Sequence, residues 1–180
     1  MNDIELSKSL VAEQAAETVR LADAIWGYAE LAYEEEKSAS ALIDALKKEG
    51  FAIEEGIAGM PTAFTATYRV GSGSPTVGFL AEYDALSGLS QCAATPECEP
   101  VVQGGAGHGC GHNLLGAGCY AAAVAVKEYL VREKKDGTVI FFGWRIMPMN
   151  ANSQTSSAVP GIGVPSRVCF FHHVSNFLRA

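Results

Sequence analysis

The stretch Gly104-Gly105-Ala106-Gly107-His108-Gly109-Cys110-Gly111-His112-Asn113-Leu114-Leu115 decides how this chain is read. It holds two of the four histidines and one of the five cysteines, spaced by glycines, and runs straight into an apolar, small-residue segment. Thiolate and imidazole are the side chains that best hold a borderline-soft divalent ion, and the single glycine between Cys110 and His112 lets both turn toward one centre. The pair reads as metal ligands. On spacing alone two other readings stand beside it. A histidine at a helix start can simply hydrogen-bond to backbone, and Cys110 can be a nucleophile whose pKa is lowered by the helix dipole and a neighbouring imidazole. His108, flanked by glycines, reads as a solvated loop histidine rather than a third ligand. Cys92 and Cys98 have a spacing that fits no common zinc module, and Cys119 reads as a small core residue.

Downstream, Leu114 to about Lys134 reads as a helix, with Asn113 as its N-cap and with Gly116 and Gly118 permitting close approach to a sheet. Its nearly apolar run stops at Lys127 and is too short for the ~20 residues that cross a bilayer, so it predicts a buried helix. Gly137-Thr138-Val139-Ile140-Phe141-Phe142 follows as a buried strand. Upstream, Thr76-Val77-Gly78-Phe79-Leu80-Ala81 is apolar on both faces, as a central strand covered by helices is, and ends at Glu82-Tyr83-Asp84. Strand, helix and strand of these lengths predict a parallel pair joined by a right-handed crossover. In such sheets the ligand crevice lies outside the carboxyl ends of the strands, so Asp84, Cys110, His112 and whatever follows Gly143 are expected on one rim. There Asp84 can orient His112 through its other ring nitrogen, bind the ion itself, or cap the following turn. The irregular connection over residues 85–112 is of a length more often functional than idle.

Further upstream, Val11, Ala15, Val19, Ala22, Trp26 and Ala29 recur by threes and fours and predict one helix from Leu10 to Ala29 with that face inward. Glu34, Glu35 and Glu36 open a second helix, which turns Leu42, Ile43, Ala45 and Leu46 inward and closes with Lys47, Lys48 and Gly50. Phe64 to Val70 alternates as a half-buried strand, and Gly71-Ser72-Gly73-Ser74-Pro75 is a turn.

With 180 residues, 48% of them hydrophobic and 18% charged, the composition is that of a globular domain with one sizeable core. A net charge of −7 without a Lys/Arg cluster excludes a nucleic-acid surface. The first residues are acidic where a secretion signal is basic, and the five irregularly spaced cysteines do not form a disulfide framework; a cytoplasmic protein without membrane contact is expected.

Four segments, in order, resemble the amidohydrolases of metallopeptidase family M20: Tyr33-Glu34-Glu35, Ala58-Gly59-Met60-Pro61-Thr62-Ala63-Phe64, Glu82-Tyr83-Asp84-Ala85-Leu86-Ser87-Gly88-Leu89-Ser90-Gln91 and Gly107-His108-Gly109-Cys110-Gly111-His112-Asn113-Leu114-Leu115-Gly116. The resemblance runs from about Ile25 to Gly143. It implies an α/β domain of the zinc-peptidase type, a mixed central sheet with helices on both faces, truncated here and without the family's lid domain. It also implies two divalent ions, zinc or manganese, with Cys110 and His112 as ligands and Asp84 as the acid that orients a ligand. The implied reaction is hydrolysis of an amide bond in a small N-acyl amino acid or dipeptide, aminobenzoyl-glutamate foremost, by a homo- or hetero-oligomer.

The chain departs from that pattern after Gly143. Where the resemblance implies a Glu-Glu pair carrying the general base, it has Trp144-Arg145-Ile146-Met147-Pro148. Residues 144–180 contain no Asp, Glu or Lys, although about five acids would fall there at the density of residues 1–143, which hold all 20. The expected organisation is therefore an amino-terminal part of a catalytic domain over 1–143 and an atypical tail over 144–180, disordered or the product of a frameshift. Losing later strands would leave the strand ending at Phe142 as an unpaired hydrophobic edge. Weak or absent hydrolysis is expected. A non-catalytic metal-binding or subunit-pairing fragment and a Cys110 thiol-dependent hydrolase are the alternatives.

Overall fold

A computed structural model describes residues 2–144 and the backbone of 168–171. In chain order the elements are α1 (Asp3–Glu13), α2 (Ala15–Tyr28), α3 (Glu36–Lys48), β1 (Ala52–Glu55), β2 (Phe64–Val70), β3 (Thr76–Ala81), α4 (His112–Arg132), β4 (Gly137–Gly143) and β5 (Val168–Phe171). The strands form one mixed sheet in the order β1-β2-β4-β3-β5. β1 and β2 are antiparallel, as are β2 and β4, while β3 runs parallel to both β4 and β5. The crossover expected from β3 through α4 to β4 is present as a parallel pair.

Register explains the core. Ala66, Phe141 and Phe79 lie side by side across β2, β4 and β3, as do Tyr68, Val139 and Val77. All six belong to the main apolar cluster or pack against it, together with Leu21 and Ile25 of α2, Leu42 and Leu46 of α3, and Tyr120, Ala123 and Val124 of α4. Strand side chains alternate, so these residues define one face of the sheet, with α4 against β3 and β4 and the other helices arranged around it. Gly116 makes the close approach possible: a Cβ there would sit 3.2 Å from the Glu82 carbonyl oxygen at the end of β3. Gly118, by contrast, faces open space.

Several expectations are corrected. The amino-terminal helix is two helices, broken at Gln14, and its buried face is Leu21, Ala22 and Ile25 rather than Val11, Val19 and Trp26, which are exposed. Two apolar stripes compete in this segment, and the one with the bulkier aliphatic residues is buried. The helix after the glycine-rich stretch starts at His112, with Gly111 at φ 79° as the preceding residue, so Asn113 lies inside the helix and is no N-cap. That helix has 21 residues and is long and apolar enough to span a bilayer, yet it is packed into the core; Lys127 within it is buried and ion-paired to Glu49 at 2.9 Å and to Glu128 at 2.7 Å. β4 is no open edge, because β2 folds back onto one side of it and β3 pairs with the other. Within the atypical tail, Val168–Phe171 forms a strand on β3. The rest of that tail, including His172 and His173, lies outside the described residues.

The start of α3 is held from a distance. Glu30 accepts hydrogen bonds from the backbone N–H groups of Lys37 and Ser38, both at 2.9 Å, and from the Ser38 hydroxyl at 2.8 Å, and so takes the place of an N-cap.

Three outcomes are expected from this packing. Phe141→Ala, which empties a fully buried site between two strands, lowers unfolding free energy by about 3–5 kcal/mol in denaturant titration. Glu30→Ala costs about 1 kcal/mol in the same measurement. Cys119 is buried, its thiol lies 3.2 Å from the Leu80 carbonyl oxygen, and burial pushes its pKa up to about 11, so mass spectrometry after native alkylation near neutral pH finds Cys98 and Cys110 modified and Cys119 intact until the protein is unfolded.

Candidate metal centre

The carboxyl end of β3 and the start of α4 meet at one rim. Asp84, three residues beyond β3, is buried to 2% exposure, and its Oδ1 lies 2.7 Å from Nδ1 of His112, the first residue of α4. A carboxylate can only accept here, so Nδ1 carries the proton and Nε2 is the nitrogen left to act as a donor to an ion. The Asp84 hydrogen bond is the main reason the His112 pKa stands above its ordinary value, with burial opposing it and Glu82 adding to it.

The sequence pattern assigns Glu82 no role, but the structure does. Its Oε2 lies 3.3 Å from His112 Nε2, and both side chains are largely buried. The signal was available: in an extended segment residues two apart point the same way, which sets Glu82 and Asp84 on one side, one at each ring nitrogen. Cys110, two residues before His112, is exposed.

His108 is not solvated, as the sequence suggested, but buried to 6% exposure. Its Nε2 donates to the Ile25 carbonyl oxygen of α2 at 3.0 Å, its ring stands 6.2 Å from that of Trp26, and burial lowers its pKa. The glycines beside it allow the chain to fold the ring inward. Asn113 does the same one turn earlier on α2, donating to the Ala22 carbonyl oxygen at 3.3 Å.

At the end of β4 the ladder continues by one bond, from Trp144 N–H to the Ala81 carbonyl oxygen at 3.1 Å. The position after Gly143 is thus on the rim, as expected, and it carries an indole instead of an acid.

His112 suits a divalent ion, because a buried carboxylate holds Nδ1 and leaves Nε2 turned toward the Glu82 carboxylate at 3.3 Å, and the Cys110 thiol is close in sequence. Among the described residues, however, no group of three or more His, Cys, Asp or Glu side chains converges to hold an ion. The donors present fit part of a coordination shell and not a complete centre.

No family model matches the chain. It is 46% identical over 123 residues, 68% of its length, to one of the subunits of the p-aminobenzoyl-glutamate hydrolase of Escherichia coli, of which the aligned part is 25%. It is 35% identical over 144 residues to the human Xaa-Arg dipeptidase, covering 72% of this chain and 29% of that one. The chain therefore spans roughly a quarter of the length of these curated relatives. Among solved structures, a protein from methicillin-resistant Staphylococcus aureus assigned as an aminohydrolase matches 77% of this chain and 34% of its own, with a TM-score of 0.63 at 17% identity. A dinuclear metal-binding peptidase of the M20 family from Bacillus subtilis matches 72% of this chain and 35% of its own, with a TM-score of 0.50 at 21% identity. Sequence likeness to the two hydrolases and a fold shared with solved peptidases agree, and the chain belongs, as a partial member, to the M20 peptidase family.

Proposed function

We propose that this chain supplies one wall of the metal centre of an M20-type hydrolase acting on the amide bond of a small N-acyl amino acid or dipeptide, of the aminobenzoyl-glutamate type. The observation that carries the reading is the 2.7 Å contact between the buried Asp84 carboxylate and His112 Nδ1, the carboxylate–histidine arrangement that prepares an imidazole for a metal. In this reading Cys110 and His112 are ligands of zinc or manganese, and Asp84 orients His112 and raises its basicity. A divalent ion in such a place polarises a scissile carbonyl and acidifies bound water. The identity of 46% to a hydrolase subunit supports both the substrate type and an oligomeric assembly.

A second reading, binding of metal without turnover, is favoured by two observations. The described donors form an incomplete shell, and Trp144 stands where the resemblance calls for an acid at the rim. Hydrolysis by the 180-residue chain alone is accordingly expected to be weak or absent.

Elemental analysis of the purified chain equilibrated with zinc or manganese separates these readings from a thiol-dependent hydrolase. Bound metal is expected in the unsubstituted chain and its loss in Cys110→Ala; equal metal in both would remove Cys110 from the ligand set. Asp84→Asn keeps the size of the side chain but not its charge, and is expected to weaken metal affinity by about 10- to 100-fold, measured by competition with a chromogenic chelator. Cleavage of aminobenzoyl-glutamate that is stopped by alkylation and indifferent to chelators would favour Cys110 as nucleophile.

A further inference from the structure

The two residues that bracket the donor pair share a feature the hydrolase reading leaves unexplained. His108 lies two positions before Cys110 and Asn113 one position after His112. Both side chains are buried, at 6% and 5% exposure, and both donate to main-chain carbonyl oxygens on successive turns of α2, His108 Nε2 to Ile25 at 3.0 Å and Asn113 Nδ2 to Ala22 at 3.3 Å. Neither is used to capacity. His108 Nδ1 and Asn113 Oδ1 are buried acceptors with no hydrogen-bond partner among the described residues. A buried acceptor without a donor carries a desolvation cost that an apolar residue of the same size would avoid. A pair serving only to fill the space between α2 and α4 would do better as hydrocarbon. What hydrogen bonding adds is direction, since each side chain fixes the chain's position relative to one particular carbonyl.

We propose that His108 and Asn113 are positioning residues, a pair of latches that fix the 108–113 segment on α2 and thereby set the placement of Cys110 and His112. The inference rests on the metal-ligand reading of Cys110 and His112, but its primary test does not. The latches fix the segment at both ends. Asp84 then needs to fix only the rotation of the His112 ring. Gly107 is held by paired backbone hydrogen bonds with Leu86, and beyond it, without the latches, the glycines at 109 and 111 would leave Cys110 free to sample many directions. The Nε2 of His108 is committed to Ile25, and among the described residues His108 joins no group of three donors that could hold an ion.

The experiment uses the full 180-residue chain with His108→Phe, His108→Gln and Asn113→Ala. Phenylalanine keeps the ring and loses both nitrogens, whereas glutamine can place its amide nitrogen near the position of Nε2 and restore the bond to Ile25. The first readout is the downfield proton resonance of the His112 Nδ1–H···Asp84 bond, which reports the placement of His112 with no metal added. It is expected to shift or broaden in His108→Phe and Asn113→Ala while circular dichroism remains that of the folded chain, and to be recovered in His108→Gln. The second readout is cobalt(II) titration followed through the thiolate-to-cobalt absorption, with affinity expected to fall about tenfold or more in the same two variants. Variants that melt earlier but keep the His112 resonance and cobalt affinity unchanged would overturn the proposal and leave the two residues as packing alone. If His108→Phe does not fold, Asn113→Ala and His108→Gln decide the question. If the unsubstituted chain shows no thiolate-to-cobalt absorption, the metal reading fails by itself, and the resonance still decides whether the latches place His112.

Discussion

A carboxylate taken out of water needs a partner, and Asp84 has one in His112. That requirement ties the end of β3 to the first turn of α4 across the intervening connection, and it explains why the glycine-rich stretch ends where it does. Gly111, in the left-handed region, turns the chain so that His112 begins the helix with its ring toward Asp84. The same turn brings Gly116 down onto the Glu82 carbonyl, so the polar contact and the close packing of α4 on the sheet are two results of one local geometry. Glu82 and Asp84 then flank the imidazole, one at each nitrogen.

Much of the fold was legible in the sequence because its central unit is simple. β3 and β4 are apolar enough to announce themselves, and the segment between them is the longest helix in the described structure, so the parallel crossover followed from length and pattern. What could not be read was the neighbour of β4. Antiparallel pairing of β2 on its outer side depends on register with a strand far earlier in the chain, and nothing local to Gly137–Gly143 encodes it. β1 was missed because Ala52-Ile53-Glu54-Glu55 presents a single large apolar residue, Ile53, and borrows its conformation from β2. The amino-terminal helices were misjudged because two stripes of apolar residues share the segment, and periodicity cannot choose between them without knowing that Gln14 breaks the phase.

The site divides along a similar line. Asp84 and His112 were found because both are titratable and lie at positions the topology brings together. His108 and Asn113 escaped because their partners are main-chain carbonyls of α2, and a carbonyl has no sequence signature. Glu82 escaped for a different reason: it sits one residue past β3, and its place beside His112 follows only once alternation is carried past the strand to Asp84. The likeness to M20 hydrolases covers this rim and about a quarter of each curated relative, so the activity of a whole family member is a larger claim than the likeness of this part.

Lys127 has a consequence for how the chain assembles. An ammonium on a mostly apolar helix is enclosed only with counter-charge around it, and that charge comes from Glu128 on the same helix at 2.7 Å and from Glu49, the residue that follows α3, at 2.9 Å, with the ring of Tyr68 5.6 Å away. Lys127 also donates to the Glu49 carbonyl oxygen at 3.3 Å, so the docked α4 is tied to the residue that ends α3. Since α3 precedes α4 in the chain, synthesis delivers Glu49 before Lys127, and the lysine meets one acid from its own helix and one already made.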